Sequence, residues 1–256
     1  TFSCSAPSGI SCSLSPTSCS TSSGCSSTVT ITATSSASPG TYTITVTVSD
    51  NYSNSVSQSY SLTVNAPTVS LSLSPTSGSL YVGQSTSTNA SVSVYNPGNV
   101  TNDIQFSCTS SSPNNVSCSV SPSSCSTSSG CSSTVTISTS SSTSPGTYTI
   151  TVTASNQYGS SSSASYTLTV NAPTVSLSLS PTSGGTYPGY SVSTTASVSV
   201  YNPGNVTNDI TFSCSAPSGI SCSLSPTSCS TSSGCSSTVT ITATSSASPG
   251  TYTITV

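Results

Sequence analysis

The chain has 256 residues, a formal net charge of −3 and no Lys, Arg, His, Met or Trp, so Asp50, Asp103 and Asp209 are its only charged side chains. Ser and Thr dominate the composition, yet a hydroxyl nucleophile needs a basic or carboxylate partner within hydrogen-bond reach, a phosphate loop needs Lys, and a nucleic-acid surface needs Lys and Arg. The composition therefore points away from an enzyme, a cofactor carrier and a nucleic-acid-binding protein.

Residues 1–46 recur letter for letter as residues 211–256, and a diverged copy spans 105–152, with Phe2, Phe106 and Phe212 at the same place in each. Self-similarity of this kind marks a tandem array. Residues 1–66 begin inside a module. Apolar residues alternate with hydroxyls at Phe2 and Cys4, at Ile10, Cys12 and Leu14, at Val29, Ile31 and Ala33, at Tyr42, Ile44, Val46 and Val48, and at Tyr60, Leu62 and Val64. This is the period-two pattern of strands with one buried face. Pro7-Ser8-Gly9, Pro16, Pro39-Gly40 and Asp50-Asn51 supply the turns between them.

Residues 67–172 make the one complete module, with strands predicted at 69–73, 90–94, 104–108, 116–120, 135–137, 148–154 and 164–170. Seven short strands, frequent turn signals and no helical period predict an all-β chain of tandem seven-stranded immunoglobulin-like β-sandwiches with no helix. Tyr148 follows Pro145-Gly146-Thr147, where a tyrosine corner ties a loop to such a sandwich; a core tyrosine with its hydroxyl at the rim fits equally. Residues 173–256 form a third module that stops after its sixth strand, and residues 1–66 lack the first two. An excerpt of a longer repeating polypeptide explains both ends better than strand donation between subunits, because the shared 46-residue block would leave a redundant half-sandwich. Both junctions read Val-Asn-Ala-Pro-Thr-Val, at 64–69 and 170–175. Proline holds the residue before it extended, which predicts a stiff rod.

Twelve cysteines occupy matching places, four per copy. An even, recurring set implies a disulfide framework and an oxidising compartment; a zinc site would want C-x2-C knuckles or His. Cys108 and Cys118 fall at inward phase on two successive strands and can bridge a hairpin, while Cys125 and Cys131 flank a short polar turn. Local pairing is expected in every copy: Cys4–Cys12, Cys19–Cys25, Cys108–Cys118, Cys125–Cys131, Cys214–Cys222 and Cys229–Cys235. Hydrophobic residues make up only 31% of the chain, and bridges compensate for a thin core. No apolar run approaches the ~20 residues of a membrane helix, and no signal segment opens the sequence.

The run 91–104 (Ser-Val-Ser-Val-Tyr-Asn-Pro-Gly-Asn-Val-Thr-Asn-Asp-Ile), its copy at 197–210, the segment from Pro217 to Pro226 and the ending Ser-Pro-Gly-Thr-Tyr-Thr-Ile-Thr-Val together resemble prokaryotic immunoglobulin-like repeats. Such repeats occur in cell-surface stalks, in surface-layer and filament proteins, and beside catalytic domains of secreted glycoside hydrolases. The hydroxyl-rich composition, paired cysteines and lack of basic residues also look like secreted filament proteins of thermophilic archaea. The four-cysteine pattern departs from the usual repeats, and the near absence of charge excludes ion-pair networks as a source of heat resistance.

Sequons stand at Asn51, Asn89, Asn99, Asn115 and Asn205. Asn99 and Asn205 hold equivalent places in a Pro-Gly turn, as glycan acceptors or as turn caps. Asp103 and Asp209 follow nearby, but one carboxylate is a poor site for calcium, which takes 6–8 oxygens, so turn stabilisation is favoured and no metal site is expected. A neutral surface favours association, and sandwich edges without Lys need glycans or pairing to blunt them. The expected function is a structural subunit or segment of an extracellular filament, fibre or stalk that self-associates and carries covalent glycans. The alternative is a carbohydrate-binding or adhesive array on the cell surface, with Tyr81, Tyr187 and Tyr190 as the aromatic candidates.

Overall fold

Alternating apolar and hydroxyl residues fold as strands along the 256 residues that the computed structural model describes, and no segment is helical. The first module holds β1 (Phe2–Ser5), β2 (Ile10–Ser15), β3 (Thr28–Ala33), β4 (Gly40–Ser49) and β5 (Ser55–Val64). They pair as two sheets, β1-β4-β5 and β2-β3.

The middle module runs through β6 (Thr68–Ser74), β7 (Ser77–Tyr81), β8 (Ser85–Tyr95), β9 (Asn102–Ser110), β10 (Val116–Ser121), β11 (Ser124–Thr127), β12 (Gly130–Thr139), β13 (Gly146–Asn156) and β14 (Ser161–Asn171). A four-stranded sheet, β10-β12-β8-β6, faces a five-stranded one, β11-β9-β13-β14-β7. Pairing is antiparallel except between β7 and β14, which run parallel with Gly78 opposite Leu168. The inward side chains of both sheets, among them Ile104, Val116, Val135, Ile137, Ile150, Val152 and Leu168, merge into one buried core. Outward hydroxyls form cross-strand contacts such as Thr153 with Ser163 at 2.8 Å, the polar equivalent of an apolar cross-strand pair. The arrangement is an immunoglobulin-like β-sandwich.

All seven predicted strands are present, and β7 and β11 join them. These two escape a period-two pattern for one reason. The inward face of β7 carries Gly78 and Leu80, and that of β11 carries a single Cys among Ser and Thr, too few apolar residues to show alternation.

The third module holds β15 (Thr174–Ser180), β16 (Ser191–Tyr201), β17 (Asn208–Thr211), β18 (Ile220–Ser225), β19 (Ser228–Thr231) and β20 (Gly234–Ala243), in sheets β15-β16-β20-β18 and β17-β19. Register is kept between copies: Cys4 faces Val46 as Cys108 faces Val152, and Cys12, Cys118 and Cys222 face Ile31, Ile137 and Ile241. Where a sixth strand was expected, residues 251–256 make only the bridge between Ser215 and Thr255. The corresponding β4 and β13 are paired on both flanks; here one flank is present. Nothing covers β15 as β14 covers β6, so Val175 and Leu177 are 62% and 48% exposed where Val69 and Leu71 are each 9%.

Candidate functional site: bridged edges, turns and module ends

The structure places all twelve cysteines in six local bridges with none free. In the middle module the Cα atoms stand 6.1 Å apart in Cys108–Cys118 and 6.7 Å apart in Cys125–Cys131. The hairpin geometry expected for the first of these is corrected. Cys108 lies on β9 and Cys118 on β10, and those strands belong to opposite sheets. Alternation tells which side chains point inward but not which sheet each strand joins, and the loop 111–115 carries the chain across the sandwich instead of reversing it within a sheet. Cys125 on β11 and Cys131 on β12 are divided between the sheets in the same way. Since β10 and β11 are edge strands on the same side, the two bridges close that side covalently, and their four sulfurs pack against the core.

Exposure separates the bridges. Cys19 and Cys25 are exposed and lie outside any strand, whereas their counterparts Cys125, Cys131, Cys229 and Cys235 are half-buried. Thiol–disulfide exchange depends on access to the attacked sulfur. Cys19–Cys25 is therefore expected to open first under low dithiothreitol; differential alkylation with peptide mass mapping checks this, and simultaneous labelling of Cys125 and Cys131 would refute it.

The tyrosine at the start of the β13 run makes a corner in every copy. The Tyr42 hydroxyl donates to the Ser38 carbonyl at 2.6 Å, Tyr148 to Ser144 at 2.7 Å and Tyr252 to Ser248 at 2.7 Å.

In the sequon turns the capping role falls to residues the sequon pattern does not single out. Asn96 donates from Nδ2 to the carbonyls of Val100 and Ser128 and accepts the Val100 amide at 3.2 Å. Asn202 does the same with Val206 and Ser232. The visible signal is an Asn ahead of Pro-Gly, whose side chain reaches the backbone four residues on. Asn99 and Asn205 occupy the left-handed position, with φ of 51° and 52°, and are exposed, as are Asn51 and Asn89. Asn115 is half-buried and donates to Ser112 Oγ at 3.3 Å.

Asp103 and Asp209 sit on β9 and β17, where each carboxylate accepts a cross-strand hydroxyl, from Ser126 and Ser230 respectively. No group of three metal-ligating side chains converges anywhere in the chain, and no helix is long and apolar enough to cross a membrane. Asp50 caps the β4–β5 turn, accepting from the Asn54 side chain at 2.8 Å, the Asn54 amide at 2.9 Å and the Tyr52 amide at 2.8 Å. The Asn54 side chain foremost, then these amides, hold its carboxyl below its ordinary value. A depressed folded pKa contributes stability that is present above the unfolded value near 3.9 and is lost as pH falls through the folded one. The melting temperature is thus expected to stay flat from pH 7 down to about pH 4.5 and to fall only below that, and Asp50→Asn should remove part of the fall. A transition midpoint that moves between pH 5 and 7 would contradict this.

A buried polar cluster ties the head of the middle module to the junction before it. Asn156 donates to the Pro67 carbonyl and to Asn102 Oδ1, both at 3.1 Å, and accepts the amides of Tyr158 and Ser160 at 3.1 and 2.9 Å. Asn102, fully buried, donates on to the Val100 carbonyl at 3.0 Å. Removing a partner from such a network strands buried groups at about 1–3 kcal/mol each. Asn156→Ala is accordingly expected to destabilise the middle module by about 2 kcal/mol or more, measurable by urea unfolding; a loss near zero would show the cluster to be solvated.

The three candidate aromatics do not form a repeated platform. Tyr81 packs edge-on against Tyr201, with ring centroids 5.5 Å apart at 80°, whereas Tyr187 and Tyr190 are 78% and 69% exposed.

The two facing sheets and their bridged edge make the chain an array of immunoglobulin-like β-sandwiches. The family described as "Putative Ig domain" (He_PIG) matches residues 12–65. No curated protein sequence matches the chain. Similar solved structures include domains 4 and 5 of the S-layer protein SbsC, at 20% identity and a TM-score of 0.31, covering 52% of this chain and 58% of that one. The longer S-layer structure rSbsC(31-844) matches at 20% identity and a TM-score of 0.34, covering 95% of this chain and 28% of its own. Protocadherin gamma B2 extracellular cadherin domains 1–5 match at 10% identity and a TM-score of 0.33, over 96% and 46%. The chain thus spans little more than half the length of the first of these structures.

Proposed function

We propose that this chain is a structural segment of an extracellular fibre, filament or stalk that self-associates and carries glycans at Asn99 and Asn205. The observation that carries the reading is the recurrence of the same two local bridges in all three copies, four of the six joining strands of different sheets. Disulfides persist in oxidising compartments, and a covalently closed side supports a thin core under load or heat. The near absence of ionisable groups suits acidic, hot surroundings, because little is left to charge on acidification. Catalysis is not part of this reading, since no acid–base set exists in the sequence. The adhesive alternative would want one aromatic platform shared by the modules, and the engagement of Tyr81 with Tyr201 argues against it. Electron microscopy of the native material tests the proposal: periodic fibres support it, and isolated particles would overturn it. Glycopeptide mapping at Asn99 and Asn205 tests the sugar component separately.

A further inference from the structure

The middle and third modules meet through more than their linker. Val206, from the turn 202–206 of the third module, is buried within the core cluster of the middle module, alongside Leu80, Val82 and Val170. Gly204 lies so close to the Val82 carbonyl that a Cβ there would overlap it. Gly83, at φ +84°, faces the same turn: a Cβ on it would stand 2.8 Å from Val206 Cγ1 and 2.9 Å from the Gly204 carbonyl oxygen. Gln84 donates to the Pro203 carbonyl at 3.5 Å while its Oε1 accepts the Tyr81 amide at 3.0 Å. The Tyr81–Tyr201 edge contact flanks the whole.

The chain contains its own control. The same Asn-Pro-Gly-Asn-Val turn at 96–100 makes the same internal hydrogen bonds, so its shape is equal. Nothing from the first module covers it: Val100 is only half-buried, Gly98 is exposed, and a Cβ on Gly98 would meet only Val100 of its own turn, at 4.0 Å. Burial of Val206 and the lack of room at Gly204 are therefore consequences of docking and not of the turn.

We propose that the turn 202–206 is a docking element that fits the base of the preceding sandwich and fixes the orientation of one module on the next. Relative motion is the default for modules joined by a short linker unless an apolar interface holds them. Here the stiffness of the rod comes from Val206 and Gly204 seated against Val82 and Gly83, not from Pro173. The partner this surface fits is the Tyr-Val-Gly-Gln end of another sandwich of the array. The joint stands whether or not the array assembles into fibres.

Residual dipolar couplings on the amides of β6–β14 and of β15–β20 in the full chain test this. In the parent, one alignment tensor should fit both sets. Gly204→Ala should split the two sets into separate tensors, while Gly98→Ala, the same change in the undocked turn, should leave the single tensor intact. Val206→Ser and Val100→Ser form a second pair with the same expected contrast, which keeps the test valid if Gly204→Ala perturbs folding. Pro173→Gly should retain the single tensor. The proposal is overturned if Gly204→Ala and Val206→Ser both keep the parent orientation, if the variants at 98 or 100 split the sets equally, or if Pro173→Gly alone decouples them.

Discussion

Replacing Cys108 and Cys118 together by serine is expected to lower the stability of the middle sandwich by about 2.5 kcal/mol, the loop-closure value for a bridge spanning about ten residues. Set against a total of about 5–15 kcal/mol for a domain, one bridge is a large share, and the melting temperature should fall by on the order of 10 °C or more. The architecture adds to the chain-entropy argument. This bridge joins β9 to β10 across the two sheets, so its loss also releases an edge strand whose half-buried neighbours rest on the core. Hydrophobic residues make up only 31% of the chain, leaving little apolar burial to compensate. Calorimetry of the double variant beside the parent, each with and without reductant, measures the effect. Equal melting of oxidised and reduced parent would remove disulfides from the account of stability.

The strands are legible because alternation is unusually clean: Val, Ile, Leu and Tyr on one phase, Ser and Thr on the other, as in Tyr148-Thr-Ile150-Thr-Val152. What alternation cannot carry is the third dimension. It assigns Cys108 and Cys118 to inward faces but leaves open that those faces belong to opposite sheets. It also misses β7, which exists because β14 offers it a parallel partner, a contact between segments far apart in sequence. The turn at 96–100 shows a second limit. The sequon draws the eye to Asn99, while the residue whose side chain closes the turn is Asn96, since what matters is the reach from Asn96 to the backbone four residues on. The burial of Val206 was invisible for the same reason as β7: identical pentapeptides at 96–100 and 202–206 differ only in what packs on them.

The largest single-residue effect is expected at Tyr166. It is 1% exposed, lies opposite Ile150 in the β13–β14 pair, and places its hydroxyl directly over Gly78 of β7. Truncating a buried aromatic costs about 3–5 kcal/mol, so Tyr166→Ala should bring the middle module close to unfolding. Tyr60 is the matched control. It occupies the same strand position opposite Ile44, but no β6 equivalent faces β5 and no β7 equivalent pairs with it, and it is 54% exposed; Tyr60→Ala should cost less than about 1 kcal/mol. Gly78→Ala supplies an approach from the other side, because the added methyl meets the Tyr166 hydroxyl and overpacking of this kind costs about 1–3 kcal/mol. Hydrogen exchange followed module by module reads all three variants on one scale. If Tyr60→Ala and Tyr166→Ala cost the same, burial by β6 and β7 is not what stabilises this strand, and the tyrosine would owe its effect to pairing within β4–β5 and β13–β14 alone. Unequal costs in the expected order assign the difference to closure of the sandwich, the step that turns paired hydroxyl-rich hairpins into a folded module.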